Sequence, residues 1–243
     1  MITSKDNHII KLAKLLKTKK YSKIHNKCLV ESVKVVNQLY DAGLVDTIIL
    51  AVSKENLASN YTKVHIEIVS NSIAKSLSDT VTTDGVFAIC NIPADNSKHD
   101  YHRCLILDKI QDPSNFGAII RSACAFGFTT IFTIDSVYPY TTKCIRSSMG
   151  YVFNVDLIDC DYSMLQSIKE KSNIRIITAD MAGETAHSVN IGGNVGIVIG
   201  NEGRGISDDI RKISDMTISI PMLNNVESLN ASVSASILMY LYR

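Results

Sequence analysis

From Cys28 onward, short apolar runs alternate with stretches of helical periodicity, and that alternation restricts the chain to an α/β architecture with a mainly parallel sheet. Strand-like runs at 28–31, 45–51, 64–69 and 85–91 are separated by helical patterns at 32–42, 54–60 and 71–79. A second series follows, with strands predicted at 104–109, 130–134, 155–158, 174–179, 194–199 and 216–220. Its helices fall at 116–126, 141–149, 162–171, 207–214 and 228–242. Between the two series, Ile92–Arg103 contains Pro93, Asp95, Asn96, Ser97 and Lys98 and reads as a connector. The expected organisation is a helical arm at 1–27, a small α/β domain at 28–92, a linker at 93–103 and a second domain at 104–243. The chain carries no internal repeat and no low-complexity segment.

Charge distinguishes the arm from the body. The formal net charge is only +1, yet residues 1–27 carry eight Lys against Asp6. The remainder is mildly acidic, so a basic arm precedes a body of opposite sign, a pattern suited to phosphate backbones. Residues 4–19 also hold an apolar stripe (Ile9, Ile10, Leu12, Ala13, Leu15, Leu16), so this helix should dock on something. No run of eighteen apolar residues exists, which argues against a membrane span. The N-terminus lacks an apolar signal core, and the six widely spaced cysteines read as reduced, mostly buried thiols. A cytoplasmic protein is expected. His99, His102 and Cys104 form the one local group with ligand chemistry, and no metal site is assigned to them.

Three loops, each at the carboxyl end of a predicted strand, carry the chemistry, because open α/β sheets bind ligands at those ends. The first runs from Asp108 through Asp112-Pro113-Ser114-Asn115-Phe116-Gly117 to Arg121, with Asn115 expected to cap the helix. The second is Gly200-Asn201-Glu202-Gly203-Arg204-Gly205, whose three glycines expose backbone groups to a ligand. The third is Ile220-Pro221-Met222 followed by Ser228-Leu229-Asn230-Ala231-Ser232, with Ser228 the expected cap. The final helix carries Ala and Ser where bulk is usual, so backbone or ligand must approach it closely. Neither dinucleotide nor P-loop spacing occurs. In a chain with eighteen Lys and seven Arg, Arg121, Arg146 and Arg204 stand in or beside such turns. A planar, multi-donor fork for phosphate or an oxyanion explains that choice, and a structural ion pair is the plainer alternative for each.

Asn115-x-Gly117-x-x-x-Arg121, Gly200-Asn201-Glu202-Gly203-Arg204-Gly205-Ile206 and Ser228-Leu229-Asn230-Ala231-Ser232-Val233 resemble, in order and spacing, the three signature motifs of the SpoU (TrmH-like) RNA 2′-O-ribose methyltransferases of the SPOUT superfamily. Arg146-Ser147-Ser148-Met149-Gly150 is similar to that family's small-residue segment between the first two motifs. The resemblance implies a C-terminal sheet tied in a trefoil knot, S-adenosyl-L-methionine as cofactor, no metal, and a homodimer with the active site near the subunit interface. It also implies that residues 28–92 form a small ribosomal-protein-like RNA-binding domain. Ile2-Thr3-Ser4-x-x-Asn7 and Leu29-Val30-Glu31 fit the rRNA-modifying branch, although Ser32 stands where Gly is usual and Asp84 where Gln is usual. Lys20-Tyr21 lacks the Arg often found there.

On this resemblance Arg121 is the catalytic residue. A guanidinium is a poor base, so its expected role is to stabilise the developing 2′-alkoxide and grip the adjacent phosphate. Asn115 and Asn230 are expected to position Arg121 and the hydroxyl, and Glu202 to orient its loop. Cofactor contacts are expected from Gly200, Asn201, Glu202, Gly203, Gly205, Ile220, Met222, Ser228, Leu229, Asn230 and Ser232. Large-subunit rRNA is the expected substrate. The alternatives are tRNA methylation, a catalytically silent RNA-binding assembly factor on the same fold, and a nucleotide enzyme on a doubly wound sheet.

Overall fold

The computed structural model describes residues 1–94, 99–224 and 226–243. The expected linker at 93–103 therefore falls partly, over Asp95–Lys98, outside the described residues. The chain divides into two compact units, Met1–Ala94 with Tyr138–Phe153 and Asp95–Val137 with Asn154–Arg243.

The first unit begins with α1 (His8–Leu15), α2 (Lys19–His25), β1 (Lys27–Glu31), α3 (Val33–Asp41), β2 (Val45–Ala51), β3 (His65–Val69), α4 (Asn71–Leu77) and β4 (Val86–Asn91). Its sheet has the order β1-β4-β2-β3, with β4 antiparallel to both neighbours and β2 parallel to β3. The basic arm is part of this unit. Ile10, Ala13 and Leu16 are fully buried against Leu29, Ile49, Phe87 and Ile89 of the sheet and Ile73 and Leu77 of α4. Burying one such aliphatic side chain is worth about 2 kcal/mol, which explains the apolar stripe between the lysines. The helix expected within 4–19 is α1, and it ends at Leu15; Thr18 takes extended backbone angles and a second helix, α2, starts at Lys19. The expected helix at 54–60 is a 3-10 segment, Val52–Asn60.

The second unit holds β5 (Arg103–Asp108), α5 (Pro113–Phe126) and β6 (Thr130–Ile134), and, beyond α6 (Thr142–Ser147) in the first unit, β7 (Asp156–Asp159) and α7 (Tyr162–Ser172). It finishes with β8 (Ile174–Thr185), β9 (Asn194–Ile199), α8 (Asp208–Ile213), β10 (Met216–Ser219) and α9 (Ala231–Leu241). All six strands are parallel, in the order β10-β8-β9-β5-β6-β7, flanked by helices. The mainly parallel α/β expectation is met. β5 and β6 are buried almost end to end, as both-faced coverage of a parallel sheet requires. β9 enters between β8 and β5, so the chain returns into a gap already bounded on both sides. β8 runs past its predicted end at 179 because it re-pairs after a register shift, Glu184 meeting Ile218. Gly183 permits this: a Cβ there would stand 2.6 Å from the Ile218 backbone.

Residues 138–153, expected within the second domain, group with the first unit. Gly150, at φ +83°, lies so near α3 that a Cβ would approach Val35 Cγ1 to 2.8 Å. The Tyr138 and Ser22 hydroxyls share a hydrogen bond of 2.9 Å. A local pattern reports that α6 is a helix, but not which core receives it.

Candidate active site

The β5–α5 turn is the first wall of the site. Asp112, not Asn115, caps α5: its carboxylate accepts from Ser114 N at 2.7 Å, and Pro113 occupies the first turn, where no N–H is needed. Asn115 thus lies inside the helix with its amide free for tertiary use, and the whole residue is only 9% exposed.

The β9–α8 loop supplies the second wall. Asn201 and Gly205 exchange backbone hydrogen bonds of 3.0 and 2.9 Å, closing a tight turn. The Asn201 side chain fixes it, accepting from Gly203 N and Arg204 N at 3.0 Å each and donating to Lys109 O at 2.7 Å. Gly200 is indispensable here, since a Cβ would fall 2.5 Å from the Gly205 carbonyl carbon. Glu202 reaches from this turn to the first wall. Its carboxylate accepts from Gln111 N at 3.2 Å, Asp112 N at 3.1 Å and Asn115 Nδ2 at 3.0 Å. Partial burial alone would raise its pKa, but the hydrogen bonds from Asn115 and the two backbone N–H groups outweigh it, holding the pKa below the ordinary glutamate value.

The third wall is the entry to α9. Asn230 rather than Ser228 is the cap, its Oδ1 accepting from Ser232 N at 2.9 Å and Ser232 Oγ at 2.7 Å. Its amide nitrogen donates to Asn115 Oδ1 at 2.9 Å. The Asn115 side chain therefore bridges Asn230 and Glu202, accepting from one and donating to the other, and three segments remote in sequence become one hydrogen-bonded chain. Local capping rules fail at Asn115 and Ser228 because the nearer polar residue holds the helix end and the other side chain has a partner elsewhere or lines the cavity.

These walls enclose a cavity of about 910 Å³. Of the residues expected to touch a cofactor, Gly200, Asn201, Glu202, Gly203, Gly205, Ile220, Met222, Ser228, Leu229 and Asn230 line it; Ser232 does not, being engaged with the cap. Asn115, Glu202 and Asn230 from the expected catalytic set line it as well. Arg121 does not: it is exposed on α5, six residues beyond Asn115, which on a helix is about 9 Å along the axis. Arg204 is exposed outside the cavity lining, and Arg146 belongs to the first unit. A fourth segment, Ala179-Asp180-Met181, at the predicted end of the strand 174–179 and within β8 itself, lines the cavity and was not anticipated. It could have been found by applying the strand-end rule to every strand rather than to the glycine-rich ends alone. The charged side chains lining the cavity are Asp112, Asp180 and Glu202, and its apolar surface includes Ile218, Ile220, Met222 and Leu229. Among the described residues, no group of three His, Cys, Asp or Glu is arranged to hold a metal ion.

Residues 102–240 match the SpoU rRNA Methylase family, and residues 7–88 match the MRM3-like substrate binding domain. A Bacillus subtilis protein, 23S rRNA (guanosine(2553)-2'-O)-methyltransferase RlmP, is 25% identical over 98% of this chain and 97% of its own length. The 23S rRNA (guanosine-2'-O-)-methyltransferase RlmB of Xanthomonas campestris is 31% identical over 56% of each chain. Among solved structures, the SpoU methyltransferase AviRb from Streptomyces viridochromogenes in complex with the cofactor AdoMet superposes with a TM-score of 0.87 at 22% identity, over 97% of this chain and 96% of that one.

Proposed function

The chain belongs to the SpoU rRNA Methylase family, and from that premise we propose that it transfers a methyl group from S-adenosyl-L-methionine to a ribose 2′-hydroxyl of large-subunit rRNA. The observation that carries this reading is the Asn230–Asn115–Glu202 chain standing on the rim of a cavity large enough for a nucleoside cofactor. The relative similar along nearly its whole length bears the name of a 23S rRNA 2′-O-methyltransferase, which favours rRNA. The AviRb complex with AdoMet shares the fold, which supports the cofactor. The residues present fit that group: apolar side chains on β10 and its following loop suit an adenine face, and the open backbone of the Gly200–Gly205 turn offers hydrogen-bonding groups to a polar tail. A trefoil knot belongs to the same reading, supported by the insertion of β9 between its neighbours and by α9 packing on α5 and β9.

S-adenosyl-L-methionine, when bound, supplies a methyl group already activated on a sulfonium, so the protein's task is orientation and charge stabilisation. Glu202 stays ionised and rigidifies the rim through the two N–H groups of the first turn. Asn115, locked on both sides, keeps Asn230 aligned at the mouth of the cavity, where the two amides position the ribose hydroxyl. Arg121 stabilises the 2′-oxygen as it acquires negative charge and holds the neighbouring phosphate. Since Arg121 does not line its own chain's cavity, the active unit is a homodimer in which Arg121 of a second copy completes the site. Exposed Val233 and Tyr240 on α9, with the Phe126 ring of α5 edge-on to Tyr240, provide apolar surface for that pairing. The first unit binds the RNA through Lys5, Lys11, Lys19, Lys20 and Lys23, all exposed on the arm. The reaction is placed in the cytoplasm.

Arg121→Ala is expected to lower methyl transfer to rRNA at least about 10³-fold, while calorimetric affinity for S-adenosylhomocysteine stays within a factor of about two. Retained turnover with lost affinity would overturn the assignment. Mixing Arg121→Ala with a cavity-disabled Gly200→Val chain tests the dimer: sharing across copies restores about a quarter of parental activity, whereas sites complete within one chain restore none.

A further inference from the structure

We propose that Asp180, in the stretch of β8 between its two pairings with β10, binds the ribose hydroxyl pair of the methyl donor's adenosine. The inference rests on the cavity holding S-adenosyl-L-methionine and adds a residue that lies outside all three sequence motifs. Asp180 lines the cavity, and its position follows from the sheet order. β8 lies between β10, which brings Ile218 and the apolar Ile220 and Met222 beyond it, and β9, which leads into the Gly200 turn. β5, whose turn leads to Asn115, is two strands away, about 10 Å at ordinary strand spacing. A carboxylate next to the apolar wall and remote from Asn115 stands where a nucleoside's sugar belongs, not where its reactive methyl must be.

The chemistry of the side chain supports hydroxyls over a cation. Arg211 of α8 donates to Asp180 Oδ2 at 2.5 Å, and Ala182 N donates to Oδ1 at 3.3 Å. The Arg211 hydrogen bond holds the carboxyl below the usual aspartate range, so it remains an ionised acceptor at neutral pH. The same guanidinium offsets its charge, which weakens its attraction for an ammonium group, while each carboxylate oxygen has more than one acceptor site and so can take a further donor. An ionised, charge-compensated carboxylate is suited to two vicinal hydroxyls, the use made of an acidic residue at a strand end in dinucleotide-binding sheets. Of the other two acids on the lining, Asp112 caps α5 and Glu202 is occupied by three donors.

Titration calorimetry on the full-length protein tests this with three probes: S-adenosylhomocysteine, 5′-methylthioadenosine, which lacks the amino-acid tail, and S-(2′-deoxyadenosyl)homocysteine. Asp180→Asn is expected to weaken the first two equally, about tenfold, and the deoxy compound distinctly less, since one of its two hydroxyl contacts is already gone. Arg211→Gln, which leaves the carboxylate in place, is expected to cost less than Asp180→Asn. Loss confined to S-adenosylhomocysteine would reassign Asp180 to the amino-acid tail, and equal loss for all three probes would make its role purely structural; either result overturns the proposal. Unchanged affinities in Asp180→Asn, with the parent binding normally, refute it while leaving the cofactor assignment intact. A parent chain that binds none of the probes refutes the cofactor assignment itself.

Discussion

Two strand-to-helix turns in this molecule use a glutamate in the same way and to different ends. In the first unit, Glu31 closes β1 and one of its oxygens accepts from Ser78 Oγ at 2.6 Å and Thr83 Oγ1 at 2.8 Å. In the second, Glu202 follows β9 and gathers the Gln111 and Asp112 N–H groups and the Asn115 amide. Glu31 ties hydroxyls of the α4–β4 connection to the sheet. Glu202 ties the elements that border a cavity. A nearby residue differs too: Gly200, two before Glu202, meets its close approach without a side chain, whereas Ser32, directly after Glu31, is held at φ 139°. A collected carboxylate is thus a device for fixing a turn, and only the space beside it makes the turn a site.

The sharpest way to break this comparison is to remove both carboxylates. Glu202→Ala is expected to reduce methyl transfer about 10²-fold with a modest change in melting temperature. Glu31→Ala should instead cost about 1–2 kcal/mol of stability and leave turnover per folded molecule unchanged. Comparable activity losses in the two variants would abolish the distinction. Next in size, Gly200→Ala should destabilise by about 2 kcal/mol in chemical denaturation, since the added carbon overlaps backbone that cannot move aside. The mirror substitution, Ser32→Gly, should stabilise by about 1 kcal/mol, because relief of the left-handed strain exceeds the added freedom of the unfolded chain. A destabilised Ser32→Gly would show that its side chain does more than occupy the turn.

The smallest effect is a pH dependence. Glu202 has a folded-state pKa below its ordinary value of 4.5. Its ionised form therefore contributes stability that is complete above that value and disappears as pH falls through the lower, folded value. Melting temperatures of the parent and Glu202→Gln should differ at neutral pH and converge as the pH falls from 4.5 through the lower, folded-state value. A gap that persists into acid would mean the carboxylate's charge is not what holds the rim.

Much of this was legible in the chain. The alternation that predicts a parallel sheet, the turn at 200–205 and the small-residue entry to α9 appear where residue pattern places them, because side-chain period and turn chemistry act over a few neighbours, whereas α5 begins at Pro113, inside the loop expected through Gly117. The errors share a cause. Asn115 and Ser228 are both good caps by local rules, yet Asp112 and Asn230 hold those positions. Residues 138–153 read correctly as containing a helix, but their core belongs to the first unit. Asp180 carried no signal because no glycine cluster follows the predicted strand 174–179, and Arg121 carried a strong one although it stands clear of the cavity.

By itself, then, the sequence determined the kinds of element, the places where they turn, and the family to which the three motifs point. Tertiary structure alone decided that β9 would lie between β8 and β5, that the Asn115 amide would bridge Glu202 and Asn230, and that Asp180 would face the same space. Those outcomes depend on which distant backbones approach within hydrogen-bond reach, and contacts across 87 or 115 residues leave no periodic trace in the chain that makes them.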